Sequence, residues 1–165
     1  MQRFALIFVV LLVALFTLEL QKPVQRHVIE PFTASIASIS AALITPFDDS
    51  VVSRGRVLQF GDYGFAVSIE AGCNGVEATI VLIAAILAFP APWRSRLWAI
   101  AIGFVTIQIL NLLSIISLFY LGRWNIDSFN WVHLYLWPVL IMLDVLLVFM
   151  LYLRHLARAN PVAQD

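Results

Sequence analysis

Residues 97–120 carry no charged side chain, and the run is long enough to cross a bilayer. A helix needs roughly 20 mostly apolar residues for that, because each residue rises ~1.5 Å through a hydrocarbon core ~30 Å thick. Apolar segments of this kind recur along the chain. Residues 4–20 and 132–153 form two more. Residues 74–92 form another, beginning near Cys73 and ending at Pro90–Trp93. Residues 32–47 are shorter, bracketed by Pro31 and Pro46, and rich in Ser and Ala, which permits close helix packing. Composition closes the argument. The chain is 62% hydrophobic and 12% charged, with a mean hydropathy of +0.94, so one small soluble core cannot hide its apolar surface. The expected fold is an all-α polytopic membrane protein. It is a single domain over residues 1–165, a bundle of about five transmembrane helices.

Two segments leave alternatives open. Residues 4–20 have the make-up of a signal peptide. Gln21, Lys22 and Pro23 follow instead of a small-residue cleavage site, which favours an uncleaved helix. Residues 32–47 either cross the membrane or lie on its surface as a re-entrant helix. Residues 51–70 differ from the rest. Phe65, Val67 and Ile69 alternate with Ala66, Ser68 and Glu70, and the FGDYGF stretch supplies turn chemistry. A small external β-hairpin is expected there. Trp93, Trp98, Trp124, Trp131 and Trp137 fall near span ends, as aromatic belts do.

The formal net charge is +0, so there is no basic field for nucleic acid. A single cysteine, Cys73, excludes an internal disulfide and any multi-cysteine metal site; no metal or cofactor is expected. With five crossings, Lys22, Arg26, Arg94, Arg96, Arg154 and Arg158 share one side, against Arg3, Arg54, Arg56 and Arg123. If residues 32–47 do not cross, the division is five against five. In both cases the short loop with Arg94 and Arg96 marks the cytoplasmic side. Cys73 and His133 then share the opposite, periplasm-like face.

Polar side chains at membrane depth are costly and often functional. Cys73 and His133 are expected to start helices at the same face, and a helix N-terminus favours a thiolate. Glu77 lies one turn below Cys73, and Asn111 one turn below Ser114. Five side chains from three helices can therefore meet in one pocket. Each also has a plainer role: Cys73 as a small core residue, His133 as an interfacial anchor, Asn111 and Gln108 as interhelical hydrogen-bonding groups. Asp144 stands apart on the last span.

The motifs AGCNGVEA (71–78), QILNLLSIISLFYLG (108–122) and FNWVHLYLW (129–137), in that order, resemble the exosortase/archaeosortase family. So does the FP of AILAFPAPWRSRL. The likeness is strongest to the short exosortase H subgroup. It implies a polytopic membrane cysteine protease or transpeptidase of the bacterial inner membrane. Its protein substrates carry a C-terminal sorting signal: a short motif, a hydrophobic helix and a basic end. It assigns the nucleophile to Cys73 and the general acid/base to His133, with Asn74, Glu77 and Asn111 in support or at the substrate. It also implies an arginine in an N-x-x-R pattern, where this chain reads Asn111-Leu-Leu-Ser114. The close match of the flanking residues favours an engineered inactive form over a natural variant. Two other readings stay open: a membrane protein that binds such a helix without cutting it, and a small transporter or assembly subunit using Glu77, Asn111 and Asp144.

Overall fold

A computed structural model describes residues 2–61 and 64–159. Asp62 and Tyr63, at the centre of the FGDYGF turn, and residues 160–165 of the polar tail lie outside the described residues. The element order is α1 (Gln2–Glu19), α2 (Lys22–Val24), α3 (Glu30–Ile44), β1 (Val51–Arg54), β2 (Val57–Phe60), β3 (Ala66–Ser68), α4 (Val76–Ala88), α5 (Trp93–Trp124), α6 (Ile126–Trp131) and α7 (Trp137–Ala159). A π-helical turn over Gln25–Ile29 fuses α2 to α3, and another over Val132–Leu136 fuses α6 to α7.

Among the described residues, four helices are long and apolar enough to cross a membrane: Gln2–Glu19, Lys22–Ile44, Trp93–Trp124 and Ile126–Arg158. Their outward faces are apolar, with Val9 and Val13 on α1, Val105 and Ile109 on α5, and Leu143 and Leu147 on α7 all exposed. A water-soluble monomer rarely exposes apolar surface on this scale; lipid covers it here. This is a multi-pass membrane protein. The fifth expected span is shorter than residues 74–92. Helix α4 has 13 residues, hence a length of ~20 Å. Pro90 and Pro92 end it on one side and the glycine turn at 72–75 on the other.

Helix α1 runs antiparallel to α4. Phe4 packs against Phe89 and Phe149, and Arg3 borders the same cavity as Arg96. At the far end, Glu19 lies within electrostatic reach of Glu77. The helix Lys22–Ile44 starts there and finishes against the sheet, with Ile36, Ala37, Ala41 and Ile44 buried against Val51, Leu58, Phe60, Ile115 and Phe119. Arg3 and Arg96 border one cavity, whereas the six-against-four count sets them on opposite sides.

The expected hairpin is a three-stranded antiparallel sheet, β1-β2-β3. The extra turn is Gly55–Arg56, closed by the pairing of Arg54 with Val57. Gly55 has φ +59°, as a two-residue hairpin with glycine first requires. Alternation in the third strand is as expected: Ile69 is buried, Phe65 and Val67 pack on the core, and Ala66, Ser68 and Glu70 are exposed. Below the sheet, α4, α5 and α7 pack through Leu82, Ile86, Ile107, Val145 and Val148. Gly103 allows that approach, since a Cβ there would meet Leu82 Cδ2 at 2.1 Å.

Candidate active site

Cys73 sits in a tight turn three residues ahead of α4, not in its first turn. The turn is held by its own polar groups. The Cys73 N–H donates to the Glu70 carbonyl at 3.0 Å, the Val76 N–H to Asn74 Oδ1 at 3.0 Å, and the Gly72 N–H to Glu77 Oε1. Gly72 and Gly75 take positive φ, at +89° and +75°. A Cβ on Gly75 would also meet Gln108 Nε2 at 2.8 Å. The CNG glycine is therefore required by both backbone and packing.

His133 does not start a helix. The helix begins at Ile126, where Asn125 Oδ1 caps the Ser128 N–H at 2.9 Å. The cap signal N-x-x-S was present in the sequence, eight residues ahead of the histidine. His133 lies instead within the π-helical turn Val132–Leu136, a backbone form often met at functional sites. Its Nε2 is 3.8 Å from Cys73 Sγ. Phe129 stacks on its ring, with centroids 5.5 Å apart.

Both residues border a cavity of about 390 Å³, which Glu77, Asn111, Ser114 and Trp137 also line. Asn111 and Ser114 share one face of α5 at i, i+3 and are 1% and 6% exposed. Trp137, a residue of the expected aromatic belt, instead completes a four-residue spacing of cavity-lining side chains, Phe129, His133, Trp137 and Ile141. That spacing could have been read from the sequence. Asn74 does not line the cavity. It is fully buried, donating Nδ2–H to Thr33 Oγ1 at 3.1 Å and accepting from Gln108 Nε2 at its carbonyl at 3.3 Å. It ties the cysteine turn to α3 and α5. Asp144, whose Oδ2 is buried without a partner, is outside the cavity lining.

Among the described residues no Lys or Arg lines the cavity. Arg56 pairs with Glu70 at 3.0 Å on the sheet, and Arg123 stacks over the Phe60 ring at 4.4 Å. Arg123 is thus engaged elsewhere and does not stand in for the missing cation. This electrostatic setting opposes the thiolate that a helix N-terminus would favour. Burial pushes the Cys73 thiol above its ordinary range, and the Glu77 charge pushes it further in the same direction.

A family profile described as transmembrane exosortase matches residues 1–155. No curated protein and no solved structure matches the chain.

Proposed function

The chain belongs to the transmembrane exosortase family, and on that premise we propose that it is a membrane-embedded cysteine transpeptidase or protease. Its substrates are proteins ending in a sorting signal of short motif, hydrophobic helix and basic end. The observation that carries this reading is the contact of Cys73 Sγ with His133 Nε2 at the wall of a cavity. Thiol and imidazole are the two parts of a cysteine nucleophile. Cys73 attacks the scissile carbonyl, and His133 takes the thiol proton and returns it to the leaving amine. Glu77 orients the cysteine turn through the Gly72 N–H rather than acting as the base. The reading sets the protein in the bacterial inner membrane with Cys73 facing the periplasm.

The substrate motif enters as an added strand on β3. The Phe60 N–H bonds the Phe65 carbonyl and the Ile69 N–H bonds the Arg56 carbonyl. In an antiparallel ladder that alternation turns residues 65, 67 and 69 toward β2 and leaves the N–H and C=O of Ala66 and Ser68 at the open edge. Val67, Ser68, Ile69 and Glu70 lead along the cavity wall to Cys73. Ser68→Pro removes an edge N–H without breaking the ladder. It is expected to raise KM about fivefold, the worth of one backbone hydrogen bond of ~1 kcal/mol, with kcat retained. Val67→Pro removes an N–H directed at β2 and is expected to unfold the sheet. Equal KM for Ser68→Pro and the parent would remove β3 as the docking edge.

A second reading follows from the cation-free cavity: the chain holds the sorting signal without cutting it. Co-expression with a tagged membrane reporter ending in such a signal tests both. Shortening of that reporter, but not of one lacking the hydrophobic helix, is the expected result. An intact reporter that co-purifies with the protein supports the holder. A reporter neither shortened nor retained overturns both.

A further inference from the structure

The cavity holds two buried hydrogen-bond donors that nothing in the fold uses. Asn111 is 1% exposed, and its Nδ2 has no acceptor. Trp137 Nε1 is likewise buried without one. Both side chains border the cavity that holds Cys73 and His133, and they approach it from different helices, α5 and α7. A buried N–H left without a partner keeps the full cost of its desolvation. Other donors around the site have acceptors, namely the Gly72 and Cys73 N–H groups, the Asn74 amide and the Gln108 amide N–H, whereas the acceptor Glu77 Oε2 is left without a partner. Both unpartnered donors belong to residues that line the cavity beside Cys73.

We propose that Asn111 Nδ2–H and Trp137 Nε1–H form a neutral oxyanion site, binding the scissile carbonyl oxygen of the substrate peptide. This rests on the cysteine-nucleophile reading above. The atoms balance as follows. The Cys73 thiol proton passes to His133, and the S–C bond forms as the carbonyl π pair moves to oxygen. Asn111 and Trp137 donate to that oxyanion. On collapse the C–N bond breaks, the amine leaves with the proton from His133, and a thioester to Cys73 remains. Neutral donors suit this cavity because, among the described residues, no Lys or Arg lines it, while the Glu77 carboxylate does. They are catalytic residues, since they touch the reacting oxygen. Their aim at that oxygen is the content of the proposal.

The test separates oxyanion binding from thiol reactivity. A peptide aldehyde forms a tetrahedral thiohemiacetal on Cys73, and its oxygen takes the position where the oxyanion develops. Iodoacetamide alkylates the thiolate with no oxyanion. In the full-length protein in detergent, Asn111→Leu and Trp137→Phe are each expected to weaken the aldehyde adduct about 10²-fold. The alkylation rate and its pH midpoint stay at the parent's values. Asn111→Gln, which keeps an amide donor, is expected to recover part of the adduct, and thermal unfolding in detergent checks that each variant is folded. Unchanged aldehyde affinity in both folded variants overturns the oxyanion site. So does a parent protein that is alkylated at Cys73 yet forms no aldehyde adduct. The underlying reading fails separately, if a sorting-signal reporter is shortened equally by Cys73→Ala.

Discussion

Ser114→Arg is expected to raise the rate of reporter processing by about 10²–10³, the usual value of one strong oxyanion-stabilising donor. Two effects act together. A guanidinium at this position stands on the α5 face that borders the cavity, one turn from Asn111, in the cavity that Cys73 and His133 also line. It adds charge where oxyanion charge develops. It also acts on the nucleophile. Burial and Glu77 hold the Cys73 thiol above its ordinary range, and a nearby cation lowers it. The pH midpoint of Cys73 alkylation should therefore fall in Ser114→Arg. Placing a guanidinium in a buried site costs several kcal/mol unless it is paired. Glu77 Oε2, buried beside the same cavity without a partner, is available to pair it. Ser114→Met, long but uncharged, controls for bulk. Equal rates and an unshifted midpoint in Ser114→Arg would show that position 114 is not the missing cation site.

Cys73→Ala is expected to abolish processing in both the parent and the Ser114→Arg background, with the reporter still bound. The sulfur is the only nucleophile of its kind in the chain, and its loss leaves His133 with no proton to take. His133→Ala should cost about 10²–10⁴ in rate, the range for a positioned general base. It should also slow alkylation of Cys73 near neutral pH, because the imidazole 3.8 Å away no longer accepts the proton. The double variant should be no worse than Cys73→Ala alone, since groups that act as a unit are not additive. Retention of the reporter by Cys73→Ala separates a lost nucleophile from a lost fold. Processing that survives Cys73→Ala would remove the enzyme reading and leave the binding one.

Much of the site was legible because its cause is local. Cys73, His133, Asn111 and Ser114 were expected in one pocket from depth along apolar helices, and they border one cavity. The three-stranded sheet was half legible. Its third strand showed in the alternation of residues 65–70, but the Gly55–Arg56 turn was hidden in a charged stretch. The Asn125 cap was legible in principle but masked by the neighbouring apolar span. Trp137 resembled every other tryptophan at a span end, and its four-residue spacing from His133 is what set it apart.

The sequence by itself determined that this chain lies in a bilayer, because hydrocarbon admits only long apolar helices with their backbone groups satisfied internally. It also determined which few polar side chains are candidates for chemistry, because each is costly at that depth. Tertiary structure alone decided how those side chains are charged and paired. Whether Cys73 is thiol or thiolate depends on burial and on Glu77. Which side of the bundle holds Arg3 depends on α1 packing along α4. Whether Asn111 and Trp137 have acceptors depends on neighbours far away in the chain. Hydropathy is summed along one segment, whereas electrostatics and hydrogen-bond satisfaction depend on what other segments bring to the same few ångströms.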